Sequence, residues 1–266
     1  MTVTVERTGR VTTIVHARPE VRNAMDPASA NALVDAFLAF DRDPDQCVAV
    51  LWGAGGAFCA GADLKAVAAA PDRPLPLSRL DFPADGGALP RGPMGPTRLE
   101  LSKPVIAAIA GPAVAGGMEI ALWCDIRVME ESAYMGVYCR RWGVPLVDGG
   151  TVRLPRIVGR GRALDIILTG RKVAADECFR IGLCERLAPH GESRAVAEAL
   201  AHEIVRFPQA CLRADRRSVW LQEGLSERDA LRVEWECSSP VVEQEGIAGA
   251  KRFARGLGRH GDFQDI

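Results

Sequence analysis

Twice in this chain a run of apolar, β-prone residues ends in a loop of small residues that opens a helical segment. Val48 to Trp52 leads into Ala57-Phe58-Cys59-Ala60-Gly61-Ala62-Asp63-Leu64. Val105 to Ile109 leads into Gly111-Pro112-Ala113-Val114-Ala115-Gly116-Gly117-Met118-Glu119. Strand, small-residue turn and helix in succession imply crossover connections and hence an α/β fold. Gly and Ala leave no side chain over the backbone, so two amides, one from each loop, can approach a single ligand oxygen. A fixed pair of N–H donors of that kind stabilises a thioester carbonyl as it becomes an enolate. Glu119, three residues behind Gly116, is placed to carry a proton beside that oxygen.

The rest of the chain reads consistently with that plan. Thr2 to Glu6 and Val11 to His16 are expected strands joined by a hairpin at Gly9-Arg10. Asp26 and Pro27 suit the N-cap and first position of a helix carrying Leu33, Val34, Phe37, Leu38 and Phe40 at helical spacing. A short helix from Asp63 to Ala70, a helix from Gly116 to Trp123 and a strand from Asp125 to Met129 follow. Pro71 to Pro96 is rich in proline and glycine, and its place between the two small-residue loops suggests a cover over the ligand pocket. Beyond Gly159 the pattern is helical over 162–168, 174–182, 192–207, 209–222, 227–238 and 243–255, with a strand at 184–187. So long a helical tail needs a surface on which to bury its apolar faces, and a neighbouring subunit would supply one.

Composition narrows the function classes. With 33 basic and 34 acidic residues the net charge is -1, which argues against a nucleic-acid surface. The eight cysteines have no C-x-x-C spacing and the four histidines are scattered, so no metal site is expected and most thiols read as reduced core residues. No secretory signal and no membrane span are visible, giving the expectation of a soluble, cytoplasmic protein. Cys59 has no His or second thiol beside it in sequence and reads as packing.

These residues resemble the crotonase family, the enoyl-CoA hydratases and isomerases. The resemblance runs from Arg18-Pro19-Glu20 and Asn23-Ala24-Met25 through Ala60-Gly61-Ala62-Asp63-Leu64 and Lys103-Pro104-Val105-Ile106-Ala107-Ala108 into Gly116-Gly117-Met118-Glu119. It continues through Leu168-Thr169-Gly170, Gly182-Leu183 and Glu245-Gly246. It implies a spiral of ββα units over residues 1–195, a C-terminal helical trimerisation region over 196–266, and a homotrimer or homohexamer. It also implies acyl-CoA thioester substrates, with coenzyme A as part of the substrate and no further cofactor. By position, Ala62 and Gly116 look like the oxyanion-hole donors and Glu119 like the first catalytic glutamate. Ala60, Asp63, Leu64, Lys65, Gly117, Arg22, Cys139 and Arg140 become candidates for substrate or coenzyme A contact. Lys251, Arg252 and Arg255 are further candidates for the coenzyme A phosphates.

One departure bears on the reaction. Hydratases of this family use a second glutamate, and counting from Met135-Gly136 and back from Gly149-Gly150-Thr151 puts Cys139 at that position. A thiol is neutral at pH 7 unless activated and positions water poorly. Asp148 offers another carboxylate, where dienoyl-CoA isomerases carry a catalytic aspartate; it equally suits a cap on the helix that follows. Three readings stay open: a hydratase, a double-bond isomerase using Glu119 and Asp148, and a non-catalytic acyl-CoA-binding scaffold.

Overall fold

The computed structural model describes residues 2–69 and 80–258. Strand β1 (Val3–Thr8) pairs antiparallel with β2 (Val11–His16), and Gly9 takes φ 58 in the two-residue turn. Helix α1 (Pro27–Arg42) begins where expected. The Asp26 carboxylate accepts from the Ser29 amide at 2.7 Å, and Leu33, Phe37 and Phe40 form the buried face. Strand β3 (Val48–Gly53) is followed by the short helix α2 (Leu64–Ala68). Strands β4 (Val105–Ile109) and β5 (Pro112–Val114) lead to α3 (Gly116–Trp123). Strands β6 (Ile126–Glu130) and β7 (Tyr134–Gly136) precede α4 (Gly150–Val158) and α5 (Arg160–Thr169). After them come β8 (Val173–Ala174), α6 (Ala175–Arg180), β9 (Arg186–Ala188) and α7 (Ser193–Val205).

Two sheets result. One has the order β1-β2-β3-β4-β6-β9, parallel from β2 onward; the other is β5-β7-β8. Three successive turns, starting at β3, β4 and β6, each place one strand in the large sheet, a short piece beside or in the small one, then a helix, which is the expected spiral of ββα units. In the first turn the short piece is Cys59, bridged to Ala113. Alternation along the parallel strands buries both faces. Ala49, Leu51, Ala107 and Ile109 pack into the main core with Leu33, Phe37 and Ile120. Val48, Val50, Ile106 and Val128 pack on the other side against Ala197, Leu200 and Ala201 of α7. A boundary at 195 therefore falls inside α7, a helix that closes one face of the large sheet.

Helices α8 (Gln209–Leu221), α9 (Glu227–Val241) and α10 (Ile247–Ala254) form the C-terminal layer. A break between 238 and 243 is not found. The chain continues from α9 through a π-turn over Val242–Gly246 into α10, a wider turn of the kind that absorbs a lost ladder bond, here beside Pro240. From that turn the Glu245 carboxylate reaches the amides of Ala210 and Cys211 at the start of α8. Neither α9 nor α10 buries a residue within the chain, and Trp235 is 72% exposed. All eight cysteines are free and five are buried. Among the described residues no helix is long and apolar enough to cross a membrane, and no cluster of metal-ligating side chains occurs.

Candidate active site

The loop after β3 is held by residues from the chain's opening segment. Asn23 is buried, and its Nδ2 donates to the carbonyls of Ala54 (2.8 Å) and Ala57 (2.6 Å) while its Oδ1 accepts from the Arg18 amide. The loop is stitched to the second one by main-chain bonds from Phe58 and Cys59 to the Pro112 carbonyl and from Val114 to the Cys59 carbonyl. Along the first loop, the Gly61 amide donates to Cys59 Sγ and the Asp63 amide to the Met25 carbonyl. The Ala62 amide between them has no acceptor among the described residues.

In the second loop the Ala115 amide is bonded to the Gly136 carbonyl, and the Met118 and Glu119 amides turn back to the Ala115 carbonyl. Ala115 sits at φ 55, ψ -127, a conformation costly for a residue with a Cβ, and provides no side-chain cap. The Gly116 amide, first in α3, is left without an acceptor among the described residues. The two loops approach each other here: a Cβ built on Gly61, the residue before Ala62, would lie 3.3 Å from the Gly116 nitrogen and 2.8 Å from the Ala115 Cβ. Gly117 lies against the Cys59 carbonyl, with no room for a side chain.

Glu119 is 3% exposed. Its Oε1 accepts from the amides of Asp148 (2.9 Å) and Gly150 (2.8 Å), and its Oε2 has no protein hydrogen-bond partner among the described residues. Burial pushes the carboxyl up to about 7; the negative charge of Asp148 adds to the rise, while the two amides and Arg153 oppose it. Cys139, half-buried, has its thiol pushed up by burial and by the charge of Glu119, so it remains a neutral group beside the acid.

Asp148 does not cap α4. The N-cap is Gly149 at φ 98, with no side-chain bond to the helix. The Asp148 carboxylate turns the other way, where Oδ1 accepts from the Met94 amide (2.9 Å) and the Thr97 hydroxyl (2.5 Å), and burial raises its pKa. Arg153, one turn into α4, donates to the carbonyls of Asp148 (3.0 Å) and Thr97 (2.8 Å). The described part of the proline-rich segment is thereby fastened beside Glu119. Of the cover expected over Pro71 to Pro96, residues 71–79 lie outside the described residues.

The other candidates divide. Arg22 is exposed in a left-handed conformation, with its carbonyl accepting from the Ala60 amide, and Leu64 and Lys65 are exposed on the first turn of α2. Asp63 is committed to the fold: its carboxylate caps α2 through the amides of Lys65 and Ala66 and pairs with Arg18 at 3.0 Å. Arg140 donates to the Ile167 carbonyl near the end of α5, and Arg141 stacks on Tyr138 at 3.8 Å, so both have structural partners on that side. Lys251 and Arg252 lie on α10 and Arg255 just after it. Burial pushes the Cys59 thiol up to about 12, in keeping with a packing role. Sequence reasoning passed over Asn23, Met94, Thr97 and Arg153 as site-builders. The Gly92-Pro93-Met94-Gly95-Pro96 run, whose glycines demand a tight turn, was the available signal for two of them.

Residues 6–247 match the family model described as "Enoyl-CoA hydratase/isomerase". The chain is 34% identical to enoyl-CoA hydratase EchA19 of Mycobacterium tuberculosis over 258 residues, covering 94% of this chain and 92% of that protein. It is 37% identical to a carnitinyl-CoA dehydratase of Salmonella arizonae over 204 residues, covering 75% and 73%. The crystal structure of enoyl-CoA hydratase EchA1 from Mycobacterium marinum superposes with a TM-score of 0.85 at 30% identity, covering 96% of each chain. Two loops joined through their main chains, a buried carboxyl at the head of α3 and these likenesses agree: the chain belongs to the enoyl-CoA hydratase/isomerase family.

Proposed function

We propose that this chain acts on an acyl-CoA thioester through an enolate held by the amides of Ala62 and Gly116, with Glu119 moving the proton. The reaction we assign is reversible addition of water to a 2-enoyl-CoA. The observation that carries the reading is Glu119: a buried carboxyl, gripped at one oxygen by two amides and pushed up to about 7, suited to both taking and giving a proton near neutral pH. In the addition, water gives a proton to Oε2 as its oxygen bonds to C3. The C2–C3 electron pair moves to the thioester oxygen, and Glu119 then delivers the proton to C2. One carboxyl serves both transfers, as the neutral thiol of Cys139 requires. The steps are proton transfers and the bonding of the water oxygen to C3, with no change that needs an electron carrier, so coenzyme A within the substrate is the sole cofactor the reaction calls for.

Cys139 also favours a second reading, double-bond isomerisation. Removing a proton from C2 of a 3-enoyl-CoA gives a dienolate held at the same two amides, and returning the proton at C4 yields the 2-enoyl-CoA with the same acid but no held water. Asp148 is less suited to share that work, because its Oδ1 is occupied by Met94 and Thr97. The test is turnover of crotonyl-CoA and of a 3-enoyl-CoA by the purified protein and by Glu119→Gln. Hydration of crotonyl-CoA that falls by about 100-fold or more in the variant supports the first reading. Turnover of the 3-enoyl substrate alone selects isomerisation, and tight binding without turnover of either leaves an acyl-CoA-binding scaffold. The apolar residues exposed along α9 and the π-turn, Leu231, Trp235 and Val242 among them, support assembly into a homotrimer or homohexamer. Light scattering would read that as three or six copies of the 28.6 kDa chain.

A further inference from the structure

The tight turn at Gly92–Gly95, ahead of β4, is built to a degree that a loose cover does not need. Gly92 and Gly95 exchange two main-chain hydrogen bonds, 3.0 and 2.9 Å, leaving Pro93 and Met94 at the tip. Gly95 takes φ 96 and lies against the Ala30 carbonyl of α1, where a Cβ would come within 2.8 Å. On the other side a Cβ at Gly92 would come within 2.5 Å of the Asp148 carboxylate. The tip is thus pinned between α1 and the segment that enters α4.

What the pinned tip presents is the Met94 side chain. A Cβ on Gly116 would fall 2.5 Å from its sulfur and 2.7 and 2.8 Å from its Cγ and Cε. Met94 is 3% exposed, so the thioether fills the space that a side chain at position 116 would occupy. It lies beside one of the two spare amides and is held there by the bond from its own amide to Asp148. Asp148 is therefore shared: its main-chain N–H holds Glu119, and its carboxylate holds the turn that carries Met94.

We propose that Asp148 is a positioning residue that fixes Met94 against Gly116, and that Met94 is the specificity-determining wall beside the thioester, limiting substitution at the carbon next to the carbonyl. The inference rests on the reading that the thioester oxygen binds at Ala62 and Gly116. Methionine is unbranched and adaptable, so a defined wall needs its backbone fixed, and the bonds to Asp148 do this. The class of substrate that such a wall excludes is the α-branched enoyl-CoA; the class that it admits is unsubstituted at C2.

The test compares kcat/KM on crotonyl-CoA with that on its 2-methyl analogue, tiglyl-CoA, in the full-length protein and in Met94→Ala, Asp148→Ala and Asp148→Asn. Met94→Ala is expected to raise the tiglyl-to-crotonyl ratio by about tenfold, the lower range for one methyl group in a pocket. Asp148→Ala is expected to raise it likewise. Asp148→Asn keeps an oxygen able to accept from the Met94 amide and the Thr97 hydroxyl, so it restores the wild-type ratio. An unchanged ratio in Met94→Ala and Asp148→Ala, with circular dichroism showing folded protein, overturns the proposal. So does loss of all turnover in Asp148→Asn, which would make Asp148 a proton carrier. If the wild type turns over neither thioester, the same ratio is read from their calorimetric affinities. Retained turnover in Glu119→Gln would instead refute Glu119 as the proton carrier of the proposed function while leaving the selectivity ratios to be judged separately.

Discussion

Replacing Glu119 by Gln is expected to make the protein more stable as it makes it inactive, and only above a particular pH. Gln keeps the size of Glu and an oxygen that can accept from the amides of Asp148 and Gly150, so the packing is retained. What disappears is the buried ionisation. In the folded protein the Glu119 carboxyl is pushed from 4.5 to about 7, chiefly by burial. Between those values the unfolded chain has released the proton and the folded chain still binds it, so stability falls as pH rises. Above pH about 7 both states are ionised and the loss is complete, at about 3 kcal/mol for a shift of that size. Near pH 5 the corresponding loss is only about 1 kcal/mol. Urea unfolding of both proteins, followed by tryptophan fluorescence at one fixed protomer concentration, reads the difference directly. Glu119→Gln should gain about 2 kcal/mol more over wild type at pH 8 than at pH 5. A gain that is the same at both pH values, or a variant less stable than wild type at pH 8, would refute the claim that burial governs this acid. Under the proposed mechanism the same titration appears in wild-type kcat/KM, which should fall as pH drops below about 7, because the free enzyme must present the carboxylate.

Gly150→Ala places a Cβ 3.0 Å from Glu119 Cγ and Oε1 and 3.0 Å from Leu146 Cδ1, so the acid must shift. The expected result is a fall in kcat of about tenfold or more with an unchanged circular dichroism spectrum. Asp26→Ala removes both the N-cap of α1 and the pairing with Arg18 at 3.3 Å. It should cost about 1 kcal/mol in urea unfolding, and Asp26→Asn should recover most of that through the cap alone.

The parts of this fold that were legible in the sequence are those whose cause is local. Asp26-Pro27 announces α1 because a carboxylate and a fixed φ act within one helical turn. Leu33, Phe37 and Phe40 show its buried face by spacing alone. The two small-residue loops were visible for the same reason, since each depends on its own glycines and alanines. The small sheet was not. Its strands β5, β7 and β8 have at most three residues, one opening on Pro112, and their pairing partners lie far along the chain. No periodicity develops over so short a run.

Asp148 shows how far this limit reaches into the site. Asp-Gly-Gly-Thr before a helix is locally a cap, and sequence distance offers no reason to look further. The structure breaks that expectation through Gly149, whose φ of 98 is open to glycine and strained for other residues, and which takes the N-cap place itself. The Asp148 side chain is then free to meet Met94 and Thr97, while its amide and that of Gly150 meet Glu119. The groups that hold the acid are main-chain N–H groups, which every residue but proline possesses. Their identity cannot be read from side chains. What can be read is the space they need: Gly150 is required because a Cβ there would strike Glu119, and Gly116 because one would strike Met94. In a site assembled from backbone amides, glycines that no turn geometry demands are therefore the most informative letters. Gly150 and Gly116, neither with a positive φ, mark where the acid and the acyl wall lie.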